Sequence, residues 1–199
     1  TDEEQVSRQV VFDDLEPSCN YIVRAYTNGT YQGKKVFNTA DPETFEGVVV
    51  NLRDIPEEEA YGTLTSSFYE NLVAENPDQD ITIVLAGGQK YEMTGLKLPA
   101  TNGTIKLITG LSLRGNAIME VAGNYDIAGN VGGFIGEKIS FIDHANAPKT
   151  GSNFGGTYLF NLSVSDTQIG TMKFVNCDIK YKRGICRIKT GADIDNFII

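Results

Sequence analysis

From Ile81 to the last residue the chain is a succession of short apolar runs separated by glycine, asparagine and aspartate, with no helix-length pattern between them. The runs are Ile81–Leu85, Leu96–Leu98, Ile105–Ile108, Ile118–Val121, Ile139–Ile142, Tyr158–Val164, Met172–Val175, Ile185–Ile188 and Ile194–Ile199. Each has the length of a strand, and the residues between them tolerate tight bends. Two architectures accept such a chain: a sandwich of antiparallel sheets, or a solenoid whose turns stack. Loose self-similarity favours the solenoid. Leu85-Ala86-Gly87 returns as Ile108-Thr109-Gly110, 23 positions on, and Met172–Asn176 returns as Asp195–Ile199 at the same interval. Ile139–Asp143 fits the same template 33 positions before Phe174. A period near 23 lies in the solenoid range, and stacking at about 4.8 Å per layer lets each turn bury the apolar face of its neighbour.

Two stretches exceed that period. Residues 122–136 carry glycines at 123, 129, 132, 133 and 136, and residues 145–156 carry Pro148 with three further glycines. Both are expected to protrude as loops. The chain ends in mid-strand without a polar cap, so further turns are expected beyond Ile199.

Upstream of the runs, Leu64, Phe68, Leu72 and Val73 have helical spacing. Ser67 with Glu70 fits a capping box, and Asn76-Pro77 supplies a stop. One helix of about three turns is therefore expected within Leu64–Asn76. The first forty residues alternate differently. Val6–Phe12, Tyr21–Tyr26 and Lys35–Thr39 read as strands, with a turn at Thr27–Gly29 and a corner at Pro17, which cannot donate to a ladder. Three strands do not close a sandwich, so this part is expected to extend toward its N-terminus or to pack on the residues C-terminal to it.

Certain of these residues carry resemblances. Leu15, Pro17, Tyr21, Val23, Ala25 and the ending Phe37-Asn38-Thr39 resemble the closing half of a fibronectin type III domain with its tyrosine corner; an unrelated β-meander is the other reading. The order of a helix, Asn76-Pro77-Asp78, an Ile-x-Ile-x-Leu strand, a glycine turn and Tyr91 resembles the beginning of pectin-lyase-like β-helices. The whole is similar to exported Bacteroidetes proteins with a β-helix domain of uncharacterised function. This implies an all-β fold: a right-handed parallel β-helix with an N-terminal capping helix, preceded by a partial fibronectin-III-like β-sandwich segment. The implied divisions are 1–40 for the fibronectin-like strands, 41–80 for linker and capping helix, and 81–199 for the β-helix. It also implies a secreted or cell-surface setting in a bacterium and polysaccharide as partner, bound through a β-helix face. A polysaccharide lyase or glycoside hydrolase with active coils beyond this segment stays open, as does a structural spacer or adhesin stalk.

Charge narrows the partners. A net charge of -9 and a pI near 4.6 disfavour phosphate backbones and anionic lipid, which need clustered Lys and Arg. No stretch approaches the length of a membrane span. Cys19, Cys177 and Cys186 are too few and scattered for a disulfide framework or zinc site, and no cofactor or metal motif stands out. Cys177 and Cys186 read as small buried residues, although pairing across neighbouring strands stays open.

The site candidates are sparse. Asp143 stands level with Asn176 in the repeat alignment, and stacked they would bind a hydroxyl or a cation; as strand-end residues they equally suit a corner. His144 is the single histidine, which excludes a multi-histidine metal site and leaves one possible base. Asp166, Asp178 and the Asp193-x-Asp195 pair offer further carboxylates, and Tyr125, Tyr158 and Tyr181 offer faces on which a sugar could stack. None of these fixes whether the chain is an enzyme.

Overall fold

The structure is a computed structural model and describes residues 10–12, 15–94, 96–127, 129–144 and 158–199. The chain divides into two compact units between Thr44 and Phe45.

In the first unit β1 (Asn20–Thr27) and β2 (Thr30–Asn38) form an antiparallel hairpin. Asn28 and Gly29 join them with φ of 48° and 80°, the left-handed pair that a two-residue hairpin turn requires. Tyr21 stacks on Phe37, its cross-strand partner, and its hydroxyl accepts a hydrogen bond from Glu16 N at 2.9 Å. The strand expected at Val6–Phe12 lies for the most part outside the described residues.

The second unit is mostly β, and every described strand pair in it is parallel. After β3 (Val48–Asn51) come α1 (Glu57–Ala60) and α2 (Ser66–Glu75), then β4 (Ile81–Leu85), β5 (Lys90–Thr94), β6 (Lys97–Leu98), β7 (Thr101–Thr109) and β8 (Ala117–Ala122). β9 (Tyr125–Ile127), β10 (Val131–Glu137), β11 (Ile139–Asp143), β12 (Tyr158–Leu162) and β13 (Gln168–Val175) follow, then β14 (Asp178–Lys180), β15 (Gly184–Ile188) and β16 (Asp193–Ile198). The first sheet has the order β3-β4-β7-β10-β13-β16, the second β5-β8-β11-β14 and the third β6-β9-β12-β15. From β4 onward the chain visits first, second and third sheet in rotation, four times, and returns to the first. Antiparallel face-packed sheets, the other architecture open to the sequence, are therefore not formed.

Alternation at period two turns one side of each sheet inward. Ladders result, Ile81–Ile105–Phe134–Met172–Phe197 on the first sheet and Tyr91–Met119–Phe141–Ile179 on the second. Tyr125, Phe134, Phe160 and Phe174 meet at the centre, Tyr125 and Phe160 stacked with ring centroids 4.7 Å apart. Fully burying each such side chain stabilises by roughly 1.5–3 kcal/mol, so the ladders serve as a conventional core would.

At the near end the first strands of the second and third sheets have no preceding strand among the described residues. Glu92 N donates to Tyr61 O at 2.6 Å and Lys97 N to Ser66 Oγ at 2.9 Å, so the segment carrying α1 and α2 lies over these strands. Leu64 and Tyr69 are buried there, with Phe68, Leu72 and Val73 packed on the core. The N-cap of α2 is Thr65, whose Oγ1 accepts from Phe68 N, and not the Ser67 of the expected capping box.

Three expectations are corrected. The stretch expected to protrude at residues 122–136 instead carries the end of β8, all of β9 and most of β10. The glycines of β10 mark close approach: a Cβ added at Gly132 would collide with the carbonyl of Asn102 in the previous turn. The sequence intervals of 23 are not the register either. Ile81 pairs with Ile105, 24 on, and Met172 with Phe197, 25 on, while Phe141 lies in the second sheet and pairs with Ile179, not in the first with Phe174. An apolar-x-apolar pattern recurs on all three sheets, so the pattern alone does not say which sheet a run joins. The loop expected at 145–156 lies outside the described residues. Cys19, Cys177 and Cys186 are free and partly buried; burial pushes the Cys186 thiol up to about 12, and its Sγ lies 3.1 Å from Met172 Sδ.

Candidate functional site

The outer face of the second sheet gathers a connected set of polar side chains. Because Tyr91, Met93, Met119, Val121 and Phe141 point inward, the alternate residues Lys90, Glu92, Glu120, Ser140 and Ile142 point outward. Register sets Glu92 beside Glu120 on neighbouring strands. Like charges so placed repel, and the surroundings resolve the conflict. Glu120 Oε1 takes Lys90 Nζ at 2.8 Å, and Oε2 accepts the hydroxyl of Tyr61 at 2.9 Å. His144, directly after β11, brings Nε2 to 3.1 Å from Glu92 Oε1 and 3.2 Å from the Tyr61 oxygen. Since Tyr61 gives its proton to Glu120, its oxygen is left to accept from His144, which places a proton on Nε2 shared between Tyr61 and Glu92.

Electrostatics follows from this chain of contacts. Burial raises the Glu120 carboxyl, but hydrogen bonds from Lys90 and Tyr61 and the charges of Lys90 and His144 outweigh it and hold it below the usual carboxylate range. Burial, then the Glu120 hydrogen bond and charge, push Tyr61 up to about 12, so it remains a proton donor at neutral pH. The Glu120 contact raises Lys90. Glu120 is nearly sealed at 7% exposure while Lys90 is half open at 52%, so solvent reaches the set from the Lys90 side and through the partly open Glu92. The face offers carboxylate, ammonium, phenol and imidazole together, a set able to hydrogen-bond several hydroxyls of one ligand. No group of three His, Cys, Asp or Glu able to hold a metal occurs among the described residues.

Of the residues singled out in the sequence, His144 lies in this set. Asp143 is its neighbour in sequence and opposite in direction: it ends β11 pointing inward, level with Val121, and pairs with Lys182 at 2.7 Å. Asn176 is not brought to Asp143. It turns the corner between β13 and β14 with φ of 51°, as Lys138 does in the previous layer with φ of 54°, and its carbonyl accepts from Asn116 Nδ2. Their supposed level placement fails because β11 and β13 belong to different sheets. Asp178 pairs with Lys180 at 3.4 Å, Asp195 with Gln168, and Asp193 with the backbone of Ile194, each separately. Tyr125 is buried and unable to meet a sugar, Tyr158 lies against Arg183, and Tyr181 is exposed.

Tyr61, Lys90, Glu92 and Glu120 were not legible as a site. The signal for the two glutamates was the repeat of apolar-Glu-apolar in Tyr91-Glu92-Met93 and Met119-Glu120-Val121, 28 positions apart. Tyr61 gave none, because the cap segment brings it to a sheet it does not belong to. No family model, no curated protein and no solved structure matches the chain.

Proposed function

We propose that this chain is part of an exported bacterial protein, a right-handed parallel β-helix of the pectin-lyase type joined to fibronectin-III-like strands, that binds polysaccharide along the outer face of its second sheet. The rotation of the chain through three parallel sheets supports the β-helix reading, and the Tyr21 hydroxyl accepting from Glu16 N supports the tyrosine corner of the fibronectin-like part. The binding reading is carried by one observation: Lys90, Glu92 and Glu120 of two stacked strands and His144, directly after a third, are joined with Tyr61 into one hydrogen-bonded set on a partly open face. Polysaccharide chains present hydroxyls at regular intervals, and a layered sheet presents donors and acceptors at regular intervals.

Cleavage is the second reading, favoured by the Tyr61–His144–Glu92 contacts, in which a phenol held protonated adjoins an imidazole and a carboxylate. One experiment separates the two. The chain is run through gels containing acidic or neutral polysaccharides, with and without calcium, and the mixtures are assayed for unsaturated or reducing ends. Retardation without product, lost in Glu92→Gln/Glu120→Gln, is the expected result; product release establishes the second reading. Retention by none of the glycans overturns both.

A further inference from the structure

Among the described residues Asp143 and Lys182 form the one ion pair sealed inside the stack, and binding on the outer face makes no use of it. Asp143 interrupts the apolar ladder Met93–Val121 and comes from the third circuit; Lys182 comes from the turn between β14 and β15 in the fourth. Each side chain is 1% exposed. Lys182 Nζ lies 2.7 Å from Asp143 Oδ1 and donates to the carbonyls of Val121 at 2.9 Å and Gly123 at 3.0 Å. Asp143 Oδ2 is buried without a hydrogen-bond partner among the described residues.

A buried ion pair recovers its lost hydration only when the remaining lone pairs are satisfied, and among the described residues nothing satisfies Oδ2. Transfer of one proton from Nζ to the carboxylate gives an uncharged amine and acid and removes two charges from a dry site. An unpartnered carbonyl oxygen also loses less than an unpartnered carboxylate oxygen. Amine and acid are then held in contact and dry, and lasting contact is what lets an intramolecular reaction outrun its bimolecular counterpart.

We propose that Lys182 and Asp143 condense to an amide that cross-links the third and fourth circuits. The Nζ lone pair attacks Cγ and the C–N bond forms. The hydroxyl oxygen of the acid leaves as water with its own hydrogen and one from the amine. Nothing is oxidised or reduced, and no cofactor takes part. The amide N–H keeps a backbone carbonyl as acceptor, and the two buried charges are gone. The bond closes a loop from residue 143 to residue 182, which ties neighbouring layers of the stack and resists their separation by proteolysis or force.

The intact mass of the folded chain tests this. The expected mass is one water lighter than the sequence, and digestion then yields a branched peptide joining Asp143 to Lys182. Lys182→Arg keeps the charge and has no nucleophilic amine, so it is expected at its full sequence mass. A wild-type chain at full sequence mass overturns the proposal. A Lys182→Arg chain that is also one water lighter overturns it as well, because the water is then lost elsewhere.

Discussion

The hairpin and the stack solve the same problem, fixing the register of strands, by opposite means. In the hairpin the partners run from Thr27 with Thr30 to Asn20 with Asn38, and a two-residue turn sets the pairing. Ile22 and Val36, paired on one face, remain half exposed. In the stack, partners stand 24 residues apart at Ile81 and Ile105 and 38 apart at Phe134 and Met172, so no turn fixes them. Register there comes from burial, because a slip of one residue carries every inward side chain to the outer face. Local backbone chemistry thus governs one region and removal of apolar surface the other, and substitutions should separate them.

The largest effect is expected at the centre of the stack. Phe160 touches Tyr125, Phe134 and Phe174, and Phe160→Ala should lower stability by about 3–5 kcal/mol, the range for a cavity of that size. Urea unfolding reads this directly. A loss below about 1 kcal/mol would mean that the rings are not a shared core and that the contrast with the hairpin is false. Next comes Gly132→Ala. One methyl group must displace the backbone of the adjacent layer, at about 1–3 kcal/mol for an overpacked site. A neutral result would show that layers part easily.

That glycine also marks where sequence and structure separate. The apolar runs were legible because their inward residues are large, and β4, β7 and β11 lie where Ile81, Ile105 and Ile139 placed them. β10 was not, because Val131-Gly132-Gly133 satisfies the demand for close layers with residues that otherwise mark loops. The outer face was harder still. Glu92 and Glu120 interrupt nothing at period two, and only register, set by corner lengths that vary from layer to layer, brings them to His144. Asp143 showed the reverse: its alignment with Asn176 invited a ligand-binding role, while alternation from Phe141 placed it inside.

The polar set gives a smaller, pH-dependent effect. Glu120 titrates below its ordinary value in the folded chain, so its contribution is present above the unfolded carboxylate range and is lost as pH falls through the folded value. Tyr61 behaves in the opposite sense. Its contribution is complete below pH 10.0 and is lost as pH rises toward about 12. Buried Tyr69 and Tyr125 are raised by burial as well and work in the same direction. Thermal midpoints should therefore fall at both ends, and tyrosinate absorbance from the buried rings should appear only with unfolding. Glu120→Gln should flatten the acid limb and lower stability at neutral pH by about 1 kcal/mol, since Lys90 is half exposed. An unchanged acid limb would assign it to other carboxylates.

The smallest effect belongs to the hairpin and sharpens the comparison most. Tyr21→Phe removes the acceptor for Glu16 N and keeps the ring that stacks on Phe37. The site is open to water, so the freed N–H finds a new partner, and the loss should be about 0.5–1 kcal/mol. Amide hydrogen exchange shows where it falls. If hairpin amides lose protection while those of β7, β10 and β13 do not, the two units open independently, as regions stabilised by different means should. Equal loss in both would mean that one cooperative transition spans Thr44 and Phe45. The local turn would then contribute to the register of layers far from it in sequence.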